Sequence, residues 1–336
     1  MSDLPPESAT ISWLAATAVG TQIHTLDIPI ELGPVRLIKP LGAGGMGVVW
    51  RARHTLLNRD VAVKFVLSRG GPPSQEHIDI FLDGARAAAQ VRHLGLTAVL
   101  NADVIHGIPY LVMEFIDGET LHAILRQGPL TPAAALAVIR RVADALDALH
   151  TAGALHRDIK PANIIVATDG QPYLTDFGLA CLINSRPPIG GTPGYTAPEC
   201  WTGECSVKAE VFALAVVAAE AMGIPRPACV REIGPRRSST PSVLIQLTAE
   251  TLAAAEVTDQ AAHADLLQRT GTPRKFIDAL TLAIAGSTSR EVCYELVARV
   301  NAARVAGGGA EAPPPATGAP RVVVARGDGV WAVGRD

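Results

Sequence analysis

The chain has 336 residues, 48% of them hydrophobic and 18% charged, with a net charge of −3. That is enough apolar material for a two-lobed domain of about 270 residues, and so small a net charge gives no argument for nucleic acid or an anionic membrane as partner. No apolar run reaches the ~18 residues that span a bilayer, no Lys or Arg precedes Arg36 as a secretory signal peptide would need, and five cysteines without a Cys-x-x-Cys pair argue for free thiols in a reducing cytosol rather than a disulfide framework or zinc site.

Residues 1–32 are apolar and rich in Thr and Ala without a clear period, and read as an N-terminal extension. From there the pattern becomes β-like: Val35, Leu37 and Leu41 lead into Gly42-Ala43-Gly44-Gly45-Met46-Gly47-Val48-Val49. Residues 48–53 and 61–66 follow as strands, with Asn58-Arg59-Asp60 as the expected turn. Gly42, Gly44 and Gly47 would let backbone N–H groups approach phosphates closely. A lone glycine hairpin is usually only a turn, but Val61-Ala62-Val63-Lys64 follows it. A lysine on the inner face of an apolar strand needs an anionic partner, because an unpaired buried ammonium is costly. Residues 75–92 read as a helix, and 99–104 and 110–115 as two more strands.

Asp117-Gly118 marks a hinge, and beyond it the chain becomes mainly helical. Thr131-Pro132 gives an N-cap and a first-turn proline. Leu136, Ile139, Ala143, Leu146 and Leu149 recur at helical spacing, and Gly153 ends the element. Residues 211–224 contain Glu220 and read as a buried helix. Arg226, Arg231, Arg236 and Arg237 run into Ser238-Ser239-Thr240 and read as a solvated loop. Residues 305–320 form a Gly/Pro/Ala linker. Residues 321–336 read as two strands around Gly327-Asp328-Gly329, a tail that docks elsewhere or opens a further domain, since an isolated hairpin is marginal in water.

The chemistry concentrates in His156-Arg157-Asp158-Ile159-Lys160-Pro161-Ala162-Asn163, in Asp176-Phe177-Gly178, and in Gly191-Thr192-Pro193-Gly194-Tyr195-Thr196-Ala197-Pro198-Glu199. A carboxylate beside a lysine, then an amide, then a second carboxylate, is what phosphoryl transfer from a metal nucleotide requires. Taken in this order with the glycine loop and Lys64, these motifs resemble the eukaryotic-like (bacterial-type) Ser/Thr protein kinases, over residues 33–304. The resemblance implies an α+β, bilobal protein-kinase-like fold. It has a five-stranded antiparallel N-lobe sheet plus one helix (33–114), a hinge (115–118) and a mainly α-helical C-lobe (119–304). The tail's Val333-Gly334-Arg335-Asp336 faintly resembles the start of a forkhead-associated domain.

The resemblance also implies roles. Asp158 would orient the substrate hydroxyl, Lys160 would neutralise the γ-phosphate, and Asn163 and Asp176 would hold Mg2+ or Mn2+. Lys64 would pair with the α- and β-phosphates of ATP. Leu41, Gly42, Gly44, Gly47, Val49, Ala62, Met113, Glu114, Ile116 and Ile165 would contact the nucleotide. Thr192 would bridge Asp158 and Lys160, Arg157 would receive a phosphate on the activation segment, and Glu199 would pair with Arg290. Implied partners are proteins with Ser or Thr acceptors, in cytoplasmic signalling. The chain departs from the family pattern in places. Gly84 stands where the helix glutamate partner of Lys64 is expected, Glu210 replaces an aspartate that anchors the catalytic loop, and Ala215 replaces a common glycine. The activation segment is also short, with Ser185 the only hydroxyl between Gly178 and Gly190. A pseudokinase scaffold is therefore the competing reading. A small-molecule phosphotransferase is weaker, because Thr192 and Ala197-Pro198-Glu199 shape a protein-substrate platform.

Overall fold

The computed structural model describes residues 10–16, 23–29, 31–44, 47–66, 73–185, 187, 189–223, 273, 289–306 and 333–335; among these, side chains are described from residue 31 on, apart from 43, 44, 198, 289–294, 306 and 333–335. The chain divides into two compact units, Met1–Ile78 with Val99–Phe115 and Gly309–Asp336, and Asp79–Ala98 with Ile116–Gly308.

The first unit contains β1 (Thr10–Ala16), β2 (Ile23–Pro29), β3 (Glu31–Leu32), β4 (Val35–Gly44), β5 (Gly47–His54), β6 (Arg59–Val66), β7 (Val99–Ile105), β8 (Ile108–Glu114) and β14 (Val333–Arg335). Its main sheet has the order β3-β4-β5-β6-β8-β7, so a two-residue edge strand is added to the five expected from the sequence. Strand periodicity divides this sheet by face. Val48, Trp50, Ala52, Val61, Val63, Phe65, Tyr110 and Val112 share one buried cluster with Val35 and Leu37. The alternate residues Val49, Ala62, Lys64 and Met113 therefore point the other way.

The β5–β6 turn falls earlier than expected. Asn58 takes the left-handed conformation at φ 49°, while Arg59 and Asp60 already belong to β6. The reason is cross-strand charge: Arg51 Nε and Arg53 Nη1 each donate to Asp60 at 2.8 Å. The N-terminal extension also holds more order than its composition suggested. β1 pairs antiparallel with β2 from Thr10↔Pro29 to Ala16↔Ile23, and β14 of the tail adds to β1 through Ile11↔Arg335 and Trp13↔Val333.

The helix α1 (Gln75–Gln90) follows, with its residues from Asp79 on in the second unit. That unit contains β9 (Gly118–Thr120), α2 (Leu121–Leu125), α3 (Pro132–Thr151), β10 (Ala154–Leu155), β11 (Ile164–Ala167), β12 (Pro172–Leu174), β13 (Cys181–Leu182), α4 (Val207–Ala221) and α5 (Ser289–Ala306). Thr131 caps α3 by accepting from Ala134 N–H, with Pro132 in the first turn, as the sequence pattern required. Leu136, Ile139, Ala143, Leu146 and Leu149 are all buried. α4 is capped by Ser206 and is buried on nearly every face, which explains why its sequence has no polar stripe. The short sheet β12-β11-β9 carries the loop that precedes β11. No helix among the described residues is long and apolar enough to cross a membrane. The arginine run at 226–237 lies outside the described residues, as do 305–320 except Val305 and Ala306.

Candidate active site

Two left-handed residues set the geometry of the second unit's loop cluster. Arg157 has φ 69° and Asp176 φ 76°, an uncommon conformation for non-glycine residues that persists only where the surroundings enforce it. For Arg157 the surroundings are visible. Its N–H donates to Glu210 Oε1 at 2.6 Å, and Glu210 Oε2 meets His150 Nε2 at 2.5 Å. Glu210 is 4% exposed, so one buried carboxylate on α4 ties the loop that begins at Arg157 to the end of α3. The extra methylene relative to aspartate is used to reach both partners.

His156 fixes the other side of the loop. Its Nε2 donates to the Thr175 carbonyl at 2.9 Å and its Nδ1 accepts from Asp158 N–H at 3.3 Å, so the ring carries its proton on Nε2. Phe177 packs edge-on against it, with centroids 5.3 Å apart. Thr175 N–H also bonds the Asn163 carbonyl at 2.9 Å. The β11–β12 ladder, with Ile164 opposite Leu174, therefore holds Asn163 and Asp176 at adjoining ends of one hairpin.

The resulting side-chain ring is closed. Lys160 Nζ donates to Asp158 Oδ2 at 2.7 Å and to Thr192 Oγ1 at 2.8 Å. Thr192 donates to Asp158 Oδ1 at 2.6 Å. Asn163 Nδ2 donates to the Asp158 carbonyl at 2.7 Å and to Oδ2 at 3.0 Å. Asp158 is 3% exposed, a carboxylate buried only because three polar neighbours satisfy it. Asp176 Oδ1 accepts Gly178 N–H at 3.2 Å. Both Asn163 bonds are made by its amide nitrogen, so its side-chain oxygen and the Asp176 carboxylate are the hard oxygen groups here that could ligate a divalent ion. Among the described residues no cluster of three His, Cys, Asp or Glu could hold a metal alone, so such an ion would take further ligands from phosphate and water.

In the first unit, Val49 lies opposite both Gly42 and Lys64, and Ala62 opposite Met113. Lys64 is 4% exposed. Gly47 has φ 137°, and a Cβ there would lie 1.9 Å from the Phe65 carbonyl oxygen, so no other residue fits this turn. Gly44 ends β4, Leu41 is about half exposed, Glu114 ends β8 exposed, and Ile116 and Ile165 are half-buried.

Other positions resolve differently. Asp83, the carboxylate beside Gly84, pairs with Arg86 at 2.7 Å on an exposed face of α1. Gly84 lies directly against the segment after Phe177-Gly178, and a Cβ on it would fall 2.0 Å from the Ala180 carbonyl oxygen. The side chain of Arg290 lies outside the described residues, so its pairing with Glu199 does too. Sequence reasoning placed His156 in its motif without a role and missed His150, since nothing local marks a histidine whose partner stands on another element.

A family model described as the protein kinase domain matches residues 35–262. Serine/threonine-protein kinase PknD of Mycobacterium tuberculosis is 37% identical over 205 residues, covering 57% of this chain and 30% of that protein. PknA of the same organism is 38% identical over 207 residues, covering 58% and 48%. The chain thus spans less than half the length of these curated relatives. Among solved structures, the M. tuberculosis PknI kinase domain in a double-mutant form aligns with a TM-score of 0.58 and 26% identity, over 74% of this chain and 95% of that one.

Proposed function

The chain belongs to the protein kinase family, and from that premise we propose that it transfers the γ-phosphate of ATP to Ser or Thr hydroxyls of proteins in signalling. The observation that carries this reading is the closed ring joining Asp158, Lys160, Thr192 and Asn163. Asp158 orients the acceptor hydroxyl and takes up its proton, while Lys160 offsets the charge on the moving phosphoryl group. A lysine two residues after the aspartate, with Thr192 bridging both, favours Ser/Thr acceptors. Asn163 and Asp176 hold a divalent ion, magnesium or manganese, which when bound neutralises charge on the phosphates. Gly42, Gly44 and Gly47 offer backbone N–H groups to the phosphates, and Lys64 offers its ammonium. Leu41, Val49, Ala62, Met113 and Ile165 give apolar contact to the base, and the 114–116 backbone gives it hydrogen bonds. A reaction that draws on ATP goes with a cytoplasmic kinase unit.

One observation favours the second reading, a nucleotide-binding scaffold: α1 presents Gly84, not a carboxylate, where the lysine's partner is expected. The deciding experiment gives the purified chain γ-labelled ATP, Mg2+ or Mn2+ and a basic protein acceptor. Incorporation that falls on the order of 100-fold or more in Asp158→Asn supports a working kinase. Nucleotide binding without incorporation by the wild type supports the scaffold.

A further inference from the structure

Two cysteines beside the catalytic loop have no part in phosphoryl transfer. The turn Pro198–Thr202 ends on Gly203 at φ 92°. Bonds from Gly203 N–H to the Cys200 carbonyl at 3.3 Å, and from Glu204 N–H to the Glu199 carbonyl at 3.1 Å, fold the chain back. Cys205 thereby returns toward Cys200. Both line one cavity with Arg157, Tyr195 and Glu210. Cys200 is buried and Cys205 half-buried, so of the two sulfurs lining this cavity Cys205 is the more open to a small reagent.

The surroundings divide the pair's chemistry. The hydrogen bond from Cys200, with the charge and hydrogen bond of Arg157, holds the Cys205 thiol down to about 6, against burial and the Glu210 carboxylate. The same hydrogen bond and burial push Cys200 far above the ordinary thiol range, with the charges of Cys205 and Glu199 adding to the rise. Burial likewise raises Cys181, whose thiol also feels Arg157. The less buried Cys205, beside Arg157, is the sulfur placed to react first, and the buried Cys200 is the one placed to resolve it.

We propose that Cys205 and Cys200 form a redox modification site at which a peroxide installs a reversible disulfide beside the catalytic loop. The Cys205 thiolate attacks one peroxide oxygen, the O–O bond breaks, and hydroxide leaves a sulfenic acid. The Cys200 sulfur then displaces that hydroxyl. The S–S bond forms, the S–O bond breaks, and the Cys200 proton departs with the hydroxyl as water. Two thiols lose two electrons and hydrogen peroxide becomes two waters, the first hydroxide taking a proton from solvent. Oxidation removes the anion that faces Arg157, whose guanidinium also holds the Leu179 carbonyl at 3.4 Å. The regulatory consequence, a fall in phosphoryl transfer reversed by reductant, rests on the kinase reading above; the thiol chemistry does not.

The test treats the reduced full chain with equimolar hydrogen peroxide at about pH 7, blocks remaining thiols and maps peptides by mass. The expected product is a Cys200–Cys205 bridge, two hydrogens lighter and reversed by dithiothreitol, with Cys200→Ala trapped by dimedone as a sulfenic acid on Cys205. Brief dimedone labelling of the wild type serves if that variant fails to fold. Iodoacetamide should modify Cys205 on the order of 10-fold faster than Cys181 at this pH. Both thiols remaining alkylatable after peroxide, or Cys181, Cys229 or Cys293 oxidising first, overturns the proposal. Because mass is read without activity, an inactive chain that forms the bridge overturns only the kinase reading. An active chain that does not form it overturns only the disulfide.

Discussion

Glu210 is a buried residue whose two oxygens tie together separate elements of the second unit. It satisfies the Arg157 N–H and His150 Nε2 together from a position 4% exposed. Replacing it with alanine strands both partners away from water, and Glu210→Ala should lose about 3 kcal/mol of stability, read as a shift of the urea midpoint at unchanged slope. Glu210→Asp is the more informative variant. One methylene shorter, aspartate reaches one partner only, so the loss should be about 1 kcal/mol; a loss as large as alanine's would mean that the two bonds act as a unit. That a carboxylate in this position anchors the loop could be read from the sequence by resemblance. That it also holds His150 could not, because 60 residues separate the two in the chain.

Elements carry two further predictions. In the β5–β6 hairpin, hydrogen bonds from Arg53 and Arg51 hold the Asp60 carboxyl below its usual value. A depressed carboxyl contributes stability that is present above its unfolded value of about 4 and lost as pH falls through the folded one. Wild type and Asp60→Asn should therefore differ in stability at neutral pH and converge as the pH falls through the lowered folded value; a difference that persists after the carboxyl is protonated would assign the effect to packing. For α1, propensity alone says that Gly84→Ala should stabilise the helix by about 1 kcal/mol. The Ala180 carbonyl 2.0 Å from the added Cβ says the opposite. Hydrogen exchange at Cys181–Leu182, paired with Ala154–Leu155, should accelerate in Gly84→Ala, and a more protected segment would refute the close approach. Gly84→Glu meets the same obstacle, so the missing carboxylate cannot be restored by substitution unless the segment after Phe177-Gly178 moves. The elements themselves were largely legible: α3, α4 and the strands follow from period and caps. The edge strand β3 and the β14-β1-β2 sheet were not, because two- to seven-residue strands in an apolar segment leave no distinctive period.

At the scale of the whole molecule, a ligand that binds the folded chain and not the unfolded one raises its stability. ATP with magnesium at about 100 times Kd should raise stability by about 2.7 kcal/mol, a few degrees in Tm for a chain of this size. Chelating the metal, or Asp176→Asn, should remove most of that shift; an unchanged shift would place the ion elsewhere. What the sequence determined by itself is the chemistry. The spacing of Asp158, Lys160, Asn163 and Asp176, and the glycines before Lys64, are short-range patterns, and short-range patterns are written in residue order. What only the tertiary structure decided is partnership: Glu210 with His150, Asp83 with Arg86, Gly84 against Ala180, and Cys205 returned toward Cys200 beside Arg157. These depend on where backbone and buried side chains come to rest once burial and hydrogen bonding are satisfied together, and no local stretch of sequence holds that information.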